Sequence, residues 1–168
     1  MLGMTPFGML HTAISLLAVI AGVAALVRYR EIGTGTGSGR LYVWSTAASA
    51  ATGLFIYHHG GFGIPHVLSI TTLVVLAVAY LAEKRGGFGY LSRYVAVLGY
   101  SLTLFFHTIP GFTETGTRLP VGDPLFTGPE DPTLRAVVGV CFLVFLIGAW
   151  LQVVRLRAGR TLATSITR

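Results

Sequence analysis

Long apolar runs, each broken by a short polar or glycine-rich stretch, set the frame of this 168-residue chain. Five of them approach or reach the roughly 17–25 residues that a helix needs to cross a bilayer: 8–27, 41–57, 64–82, 90–109 and 134–154. The second is the shortest, and its small residues from Ala47 to Gly53 suit close packing between helices. The expected fold is therefore all-α: one integral membrane domain over 1–168, a bundle of five transmembrane helices. The first run is long enough to span, has no basic stretch before it and no A-x-A-like site after it. It reads as the first membrane helix rather than a cleaved signal.

The connections differ in character. Residues 28–40 contain Gly33-Thr34-Gly35-Thr36-Gly37-Ser38-Gly39, which reads as a flexible linker. A phosphate loop is excluded by spacing: Ser38 and Arg40 occupy the third-glycine positions, and no P-loop lysine follows. Residues 60–65 are so few that helices two and three must form a tight hairpin, and 83–89 is another short turn. Residues 110–132 form the long connection, rich in Pro and Gly, and a loop of that length in a compact protein tends to be functional.

Composition agrees with the pattern. The chain is 53% hydrophobic and only 11% charged, against roughly 25% charged in soluble domains, and its mean hydropathy is +0.73. The net charge of +6 does not point to nucleic acid, because the basic residues flank apolar runs instead of forming one face. They set orientation instead. Arg28, Arg30, Arg40, Lys84, Arg85, Arg93, Arg155, Arg157, Arg160 and Arg168 fall on one side, and Arg118 and Arg135 on the other. The positive-inside rule then places the N-terminus outside and the C-terminus in the cytoplasm of a multi-pass cell-membrane protein. Glu114, Asp123, Glu130 and Asp131 fall on the outer side, the last two at the start of helix five, where negative charge is favourable. The one cysteine, Cys141, lies inside an apolar run and reads as a small core residue.

Threaded through these segments, all five histidines end near the outer side: His11, His58, His59, His66 and His107. Ionisable groups at membrane depth are costly and mark functional sites, and imidazole is the commonest metal ligand. Three of the five belong to one hairpin, so only three placements are independent. His58 and His59 are adjacent and cannot both face the core. Hydrogen-bonded structural histidines are the competing account of each. His107 follows Leu104-Phe105-Phe106, where leaving it unpaired would be expensive. His66 follows a proline that starts helix three. No H-E-x-x-H, C-x-x-C or C-x-x-C-H is present, so zinc protease, rubredoxin-like and covalent haem sites lack support. The tyrosines and tryptophans, Tyr42 and Trp44 among them, lie mostly near segment ends, as an interfacial belt predicts.

Three motifs carry a family resemblance: Gly39-Arg40-Leu41-Tyr42, Gly61-Phe62-Gly63-Ile64-Pro65-His66, and Glu114-Thr115-Gly116-Thr117-Arg118-Leu119-Pro120. Over residues 8–120 the chain resembles an uncharacterised family of small bacterial multi-pass membrane proteins, a domain of unknown function. The resemblance implies the same membrane fold and marks His11, His66, Glu114 and Arg118 as positions of interest. The chain departs from the family where a His-Arg pair would precede helix two, since Ser38-Gly39-Arg40 keeps only the arginine. It departs again near Arg93, where Tyr94 stands in place of a histidine.

These readings converge on one expectation: a histidine-ligated metal centre at the outer face, haem b or a transition metal such as copper, zinc or iron, serving redox chemistry or electron transfer. His11, His66 and His107 would ligate, with His59 as a fourth ligand or a donor to one. Glu114 and Arg118 would orient ligands or a quinone head group. Whether the chain is an enzyme is open. Two alternatives come from other classes: an accessory subunit of a larger membrane complex, and a small-solute or proton pathway with the histidines as relays.

Overall fold

The computed structural model of the protein describes residues 5–57 and 61–166, with side chains up to residue 159. Among these residues all regular structure is helical. Helix α1 covers Pro6–Tyr29, α2 Gly37–Gly53, α3 Ile64–Arg85, α4 Ser92–Gly116 and α5 Pro132–Ile166, with one 3-10 turn, Gly89–Leu91, before α4.

The helix ends follow local chemistry. Thr5 caps α1 by accepting from Gly8 N–H, and Pro6 follows at the first helical position. Asp131 does the same for α5: its Oδ1 accepts from Thr133 N–H, while Oδ2 accepts from the Thr127 N–H and hydroxyl. These bonds, led by the one from Thr127 N–H, hold the Asp131 carboxyl down at about 2. Helix α1 ends on Arg30 and α3 on Gly86, both left-handed.

The glycine-rich stretch departs from its expected role as a linker. Thr36 accepts from Gly39 N–H at 3.1 Å and starts α2 at Gly37, four residues before the expected 41. A Cβ at Gly39 would overlap the Gly33 carbonyl, so the backbone folds back on itself there and only glycine fits. Helix α2 ends at Gly53, short of the expected 57. Helix α4 runs past Pro110 to Gly116, so the long connection narrows to 117–131. Pro110 is exposed, and the hydroxyls of Thr108, Thr113 and Thr117 donate back to carbonyls one turn earlier, which keeps this end of the helix bonded.

Helices α1 to α4 close a ring in which α1 packs on α2, α2 on α3, α3 on α4, and α4 touches α1. Helix α5 lies outside this ring and packs along α4. The core is mostly alanine, with Ala18, Ala21, Ala25, Ala79, Ala82 and Ala96 surrounding Ile32, Tyr42, Val43, Leu76 and Tyr100. Small side chains let the helix backbones approach. The large apolar residues point outward instead: Ile20 is 67% exposed, Val144 64% and Trp150 64%. A protein in water rarely leaves such an apolar surface bare.

Four helices, α1, α3, α4 and α5, are long and apolar enough to cross a membrane. The bundle is therefore compatible with a lipid bilayer and with a multi-pass membrane protein. Helix α2, the fifth expected span, has 17 residues and carries Ser38, Tyr42, Ser45, Thr46, Ser49 and Thr52. Its polarity sets it apart from the other four.

Candidate functional site

The hydroxyls of α2 recur three and four residues apart, which puts Tyr42, Ser45, Thr46, Ser49 and Thr52 on one side of the helix. Four of these residues, Tyr42, Ser45, Thr46 and Ser49, are buried. Buried hydroxyls need partners: Ser45 finds its own within α2, at the Leu41 and Tyr42 carbonyls, and α1 and α4 supply those of Tyr42, Thr46 and Ser49. The result is a column of hydrogen-bonded side chains through a core otherwise made of alanine.

At one end His11 Nδ1 lies 2.9 Å from Thr52 Oγ1. Thr52 commits its only proton to the carbonyls of Ala48 (2.8 Å) and Ser49 (3.0 Å). His11 is therefore the donor, and its tautomer is assigned by that bond. One turn further along α1, Ser15 Oγ donates to the His11 carbonyl at 2.9 Å, so Ser49 Oγ donates to Ser15 Oγ at 2.6 Å. His107 on α4 meets the same helix: its Nε2 is 3.1 Å from Thr46 Oγ1, and its ring stands edge-on to Tyr42 at 6.4 Å. His11 and His107 lie within electrostatic reach of each other, and Glu114 within reach of His11.

The middle of the column is Tyr42, fully buried. Thr46 lies one turn further along α2. The Tyr42 hydroxyl and Thr103 Oγ1 lie 2.7 Å apart, and the Tyr100 carbonyl accepts from both, at 3.2 Å from Tyr42 and 2.9 Å from Thr103. The ring fits because Gly22 lies opposite: a Cβ there would stand 2.7 Å from Tyr42 Cδ2. The other half begins with the Tyr100 hydroxyl, which donates to Glu83 Oε2 at 2.7 Å. Glu83 Oε1 accepts from the Thr34 N–H and hydroxyl at 2.8 and 2.9 Å. Tyr100 thus accepts at its carbonyl and donates from its hydroxyl, so its ring separates the two halves.

Beyond Glu83 a cavity of about 540 Å³ opens, lined by Glu31, Glu83, Arg93, Tyr100 and Arg155 among others. Arg93 donates to both carboxylate oxygens of Glu31, at 2.8 and 3.0 Å.

The structure brings His11 and His107 to the same polar side of α2, at Thr52 and Thr46, about 9 Å apart along its axis, and keeps His66 apart. His66 is buried between the rings of Tyr57 (4.8 Å) and Phe62 (5.2 Å). The Gly63 N–H donates to its Nδ1 at 3.1 Å, and its Nε2 finds no partner among the described residues. His59 lies outside the described residues. Glu114 and Arg118 form an ion pair one turn apart. Among the described residues no three His, Cys, Asp or Glu side chains form a group that could hold a metal ion. His66 does not join His11 and His107.

Tyr42 is not part of an interfacial belt; it is the hydrogen-bonded centre of the core. Tyr100 and Glu83 are the functional groups that sequence reasoning missed. Their signals were present: a carboxylate following Ala82 at the end of an apolar helix, and hydroxyls at helical spacing along α2.

No protein-family model, no curated protein and no solved structure matches this chain.

Proposed function

We propose that this chain is a multi-pass protein of the cell membrane that relays protons between a histidine layer at one face and a carboxylate vestibule at the other. In this reading all five helices cross the bilayer, α2 shielded inside the bundle. The N-terminus lies outside and the C-terminus in the cytoplasm, because the ten-to-two distribution of basic residues favours that orientation. His11 and His107 exchange protons with the outer side. Thr46, Tyr42 and Thr103 carry the middle of the path, and Glu83 exchanges with the cytoplasmic cavity. The Tyr100 ring is the gate, since a proton passes from the Tyr42–Thr103 hydroxyls to the Tyr100 hydroxyl only when that ring or bridging water spans the gap.

The single observation carrying this reading is the column itself. Interhelical hydrogen bonds hold bundles together, but structural bonding alone does not call for two histidines, two buried tyrosines and a carboxylate in one line. Intramembrane ionisable groups mark ion and proton pathways. The test is reconstitution into liposomes with a pH-sensitive dye inside. An imposed pH gradient should collapse faster with wild-type protein than in protein-free vesicles, and His107→Ala should abolish the difference. Equal rates for wild type and empty vesicles would reject the relay.

A further inference from the structure

A second feature lies outside the polar column, on the flank where α5 meets the bundle. Helix α5 packs along α4 and is tied to α1 at one end by two hydrogen bonds. Gln152 Nε2 donates to the Arg30 carbonyl at 3.3 Å, and Arg155 donates to the Tyr29 carbonyl at 2.8 Å. From that tie along the two helices runs a cleft of about 560 Å³. Its walls are apolar, with Leu26, Leu104, Phe105, Val144 and Phe145. Gly148 contributes no side chain and opens the middle. Along α5 the lining runs from Cys141 to Arg155, about 21 Å at 1.5 Å per residue.

The two ends differ in charge. Cys141 and Thr108 stand toward one end, Arg30 and Arg155 at the other. The other polar groups of the cleft are already engaged: Ser101 donates to Gln152 Oε1 at 3.0 Å. The α1 carbonyls at the basic end are also taken, by Gln152 and Arg155. They therefore do not repel an anion there. The Arg30 guanidinium has no partner among the described residues, and Arg155 uses only one nitrogen on Tyr29. Guanidinium groups with spare donors match phosphate geometry.

We propose that this cleft holds one acyl chain of an anionic phospholipid, with the phosphate against Arg30 and Arg155. A long apolar wall fits the chain, and the paired arginines at its end fit the head group. Phosphatidylcholine carries the same phosphate but sets a choline cation beside the two arginines, which repels them.

The test uses the full chain purified in detergent, titrated with phosphatidylglycerol or phosphatidylcholine and followed by native mass spectrometry. The expected result is one saturable phosphatidylglycerol per chain, with phosphatidylcholine at least tenfold weaker. Arg30→Gln and Arg155→Gln should each weaken binding roughly fivefold. Arg85→Gln, which removes the same charge from the end of α3, should leave it unchanged. Gly148→Leu keeps every charge and should abolish binding by filling the cleft. If Arg155→Gln fails to fold because its tie to Tyr29 is lost, Arg30→Gln and Gly148→Leu carry the test. The proposal is overturned by equal affinity for the two lipids, by an Arg85→Gln loss matching that of Arg30→Gln, by binding that ignores Gly148→Leu, or by a protein helix found in the cleft.

Discussion

Tyr42→Phe separates a conducting hydroxyl from a structural one. The substitution keeps the fully buried ring, its fit against Gly22 and its edge contact with His107. It removes only the hydroxyl, which bonds Thr103 and the Tyr100 carbonyl. Thr103 keeps its own bond to the Tyr100 carbonyl and Thr46 keeps His107, so two interhelical contacts of one hydroxyl are lost, to Thr103 and to the Tyr100 carbonyl, and no new cavity forms. Such bonds in membrane bundles contribute about 0.6 kcal/mol, and at most about 1.7. The expected stability change is therefore about 1 kcal/mol. Thermal unfolding in detergent should show a shift of a few degrees at most. Proton flux in liposomes, by contrast, should fall to the protein-free level, because the path has no other hydroxyl between Thr46 and Thr103. Retained flux would refute the path through Tyr42. A stability loss beyond about 3 kcal/mol would refute the reasoning that the hydroxyl is energetically minor.

Gly22→Ala should do the reverse: its Cβ stands 2.7 Å from a ring that cannot yield, so overpacking costs about 1–3 kcal/mol, read by the same unfolding assay. Glu83→Gln keeps one oxygen to accept from Thr34 and turns the Tyr100 bond round, the amide NH2 donating to the Tyr100 hydroxyl; it removes the ionisable group, so the fold should survive while flux is lost. Treatment with a strong chelator should leave wild-type flux unchanged, since no residue of the path is assigned to a metal. The Asp131 cap is lowered from 3.8 to about 2, so its contribution to the start of α5 is full above pH 3.8 and is lost as pH falls through about 2. Hydrogen exchange at Thr133 should therefore stay slow down to about pH 3, and Asp131→Ala should remove that protection at neutral pH.

The helices were legible in the sequence because spanning length and apolarity are local properties. The run 64–82 and α3, Ile64–Arg85, differ only at the C-terminal end. The boundaries that moved did so for reasons the apolar pattern does not carry. Thr36 caps α2 inside a stretch that composition reads as flexible, and Pro110 sits on an exposed edge where a helix tolerates it. The histidine layer was half legible. His11 lies near the start of α1, but α4 runs on to Gly116 and leaves His107 nine residues inside it; depth also says nothing about azimuth, and His66 turns into its own aromatic sandwich. The column itself was hidden because its members are ordinary residues singly. Tyr42 near a segment end looks interfacial until α1 and α4 close over it, and Glu83 beside Lys84 and Arg85 looks like a solvated end until Thr34 and Tyr100 are brought to it.

Current across a planar bilayer containing the wild-type protein tests the central claim most directly. The account predicts a current whose reversal potential moves by about 59 mV per unit of pH difference and ignores a potassium chloride gradient. No current above the bare bilayer, or a reversal potential that follows potassium or chloride, would contradict it.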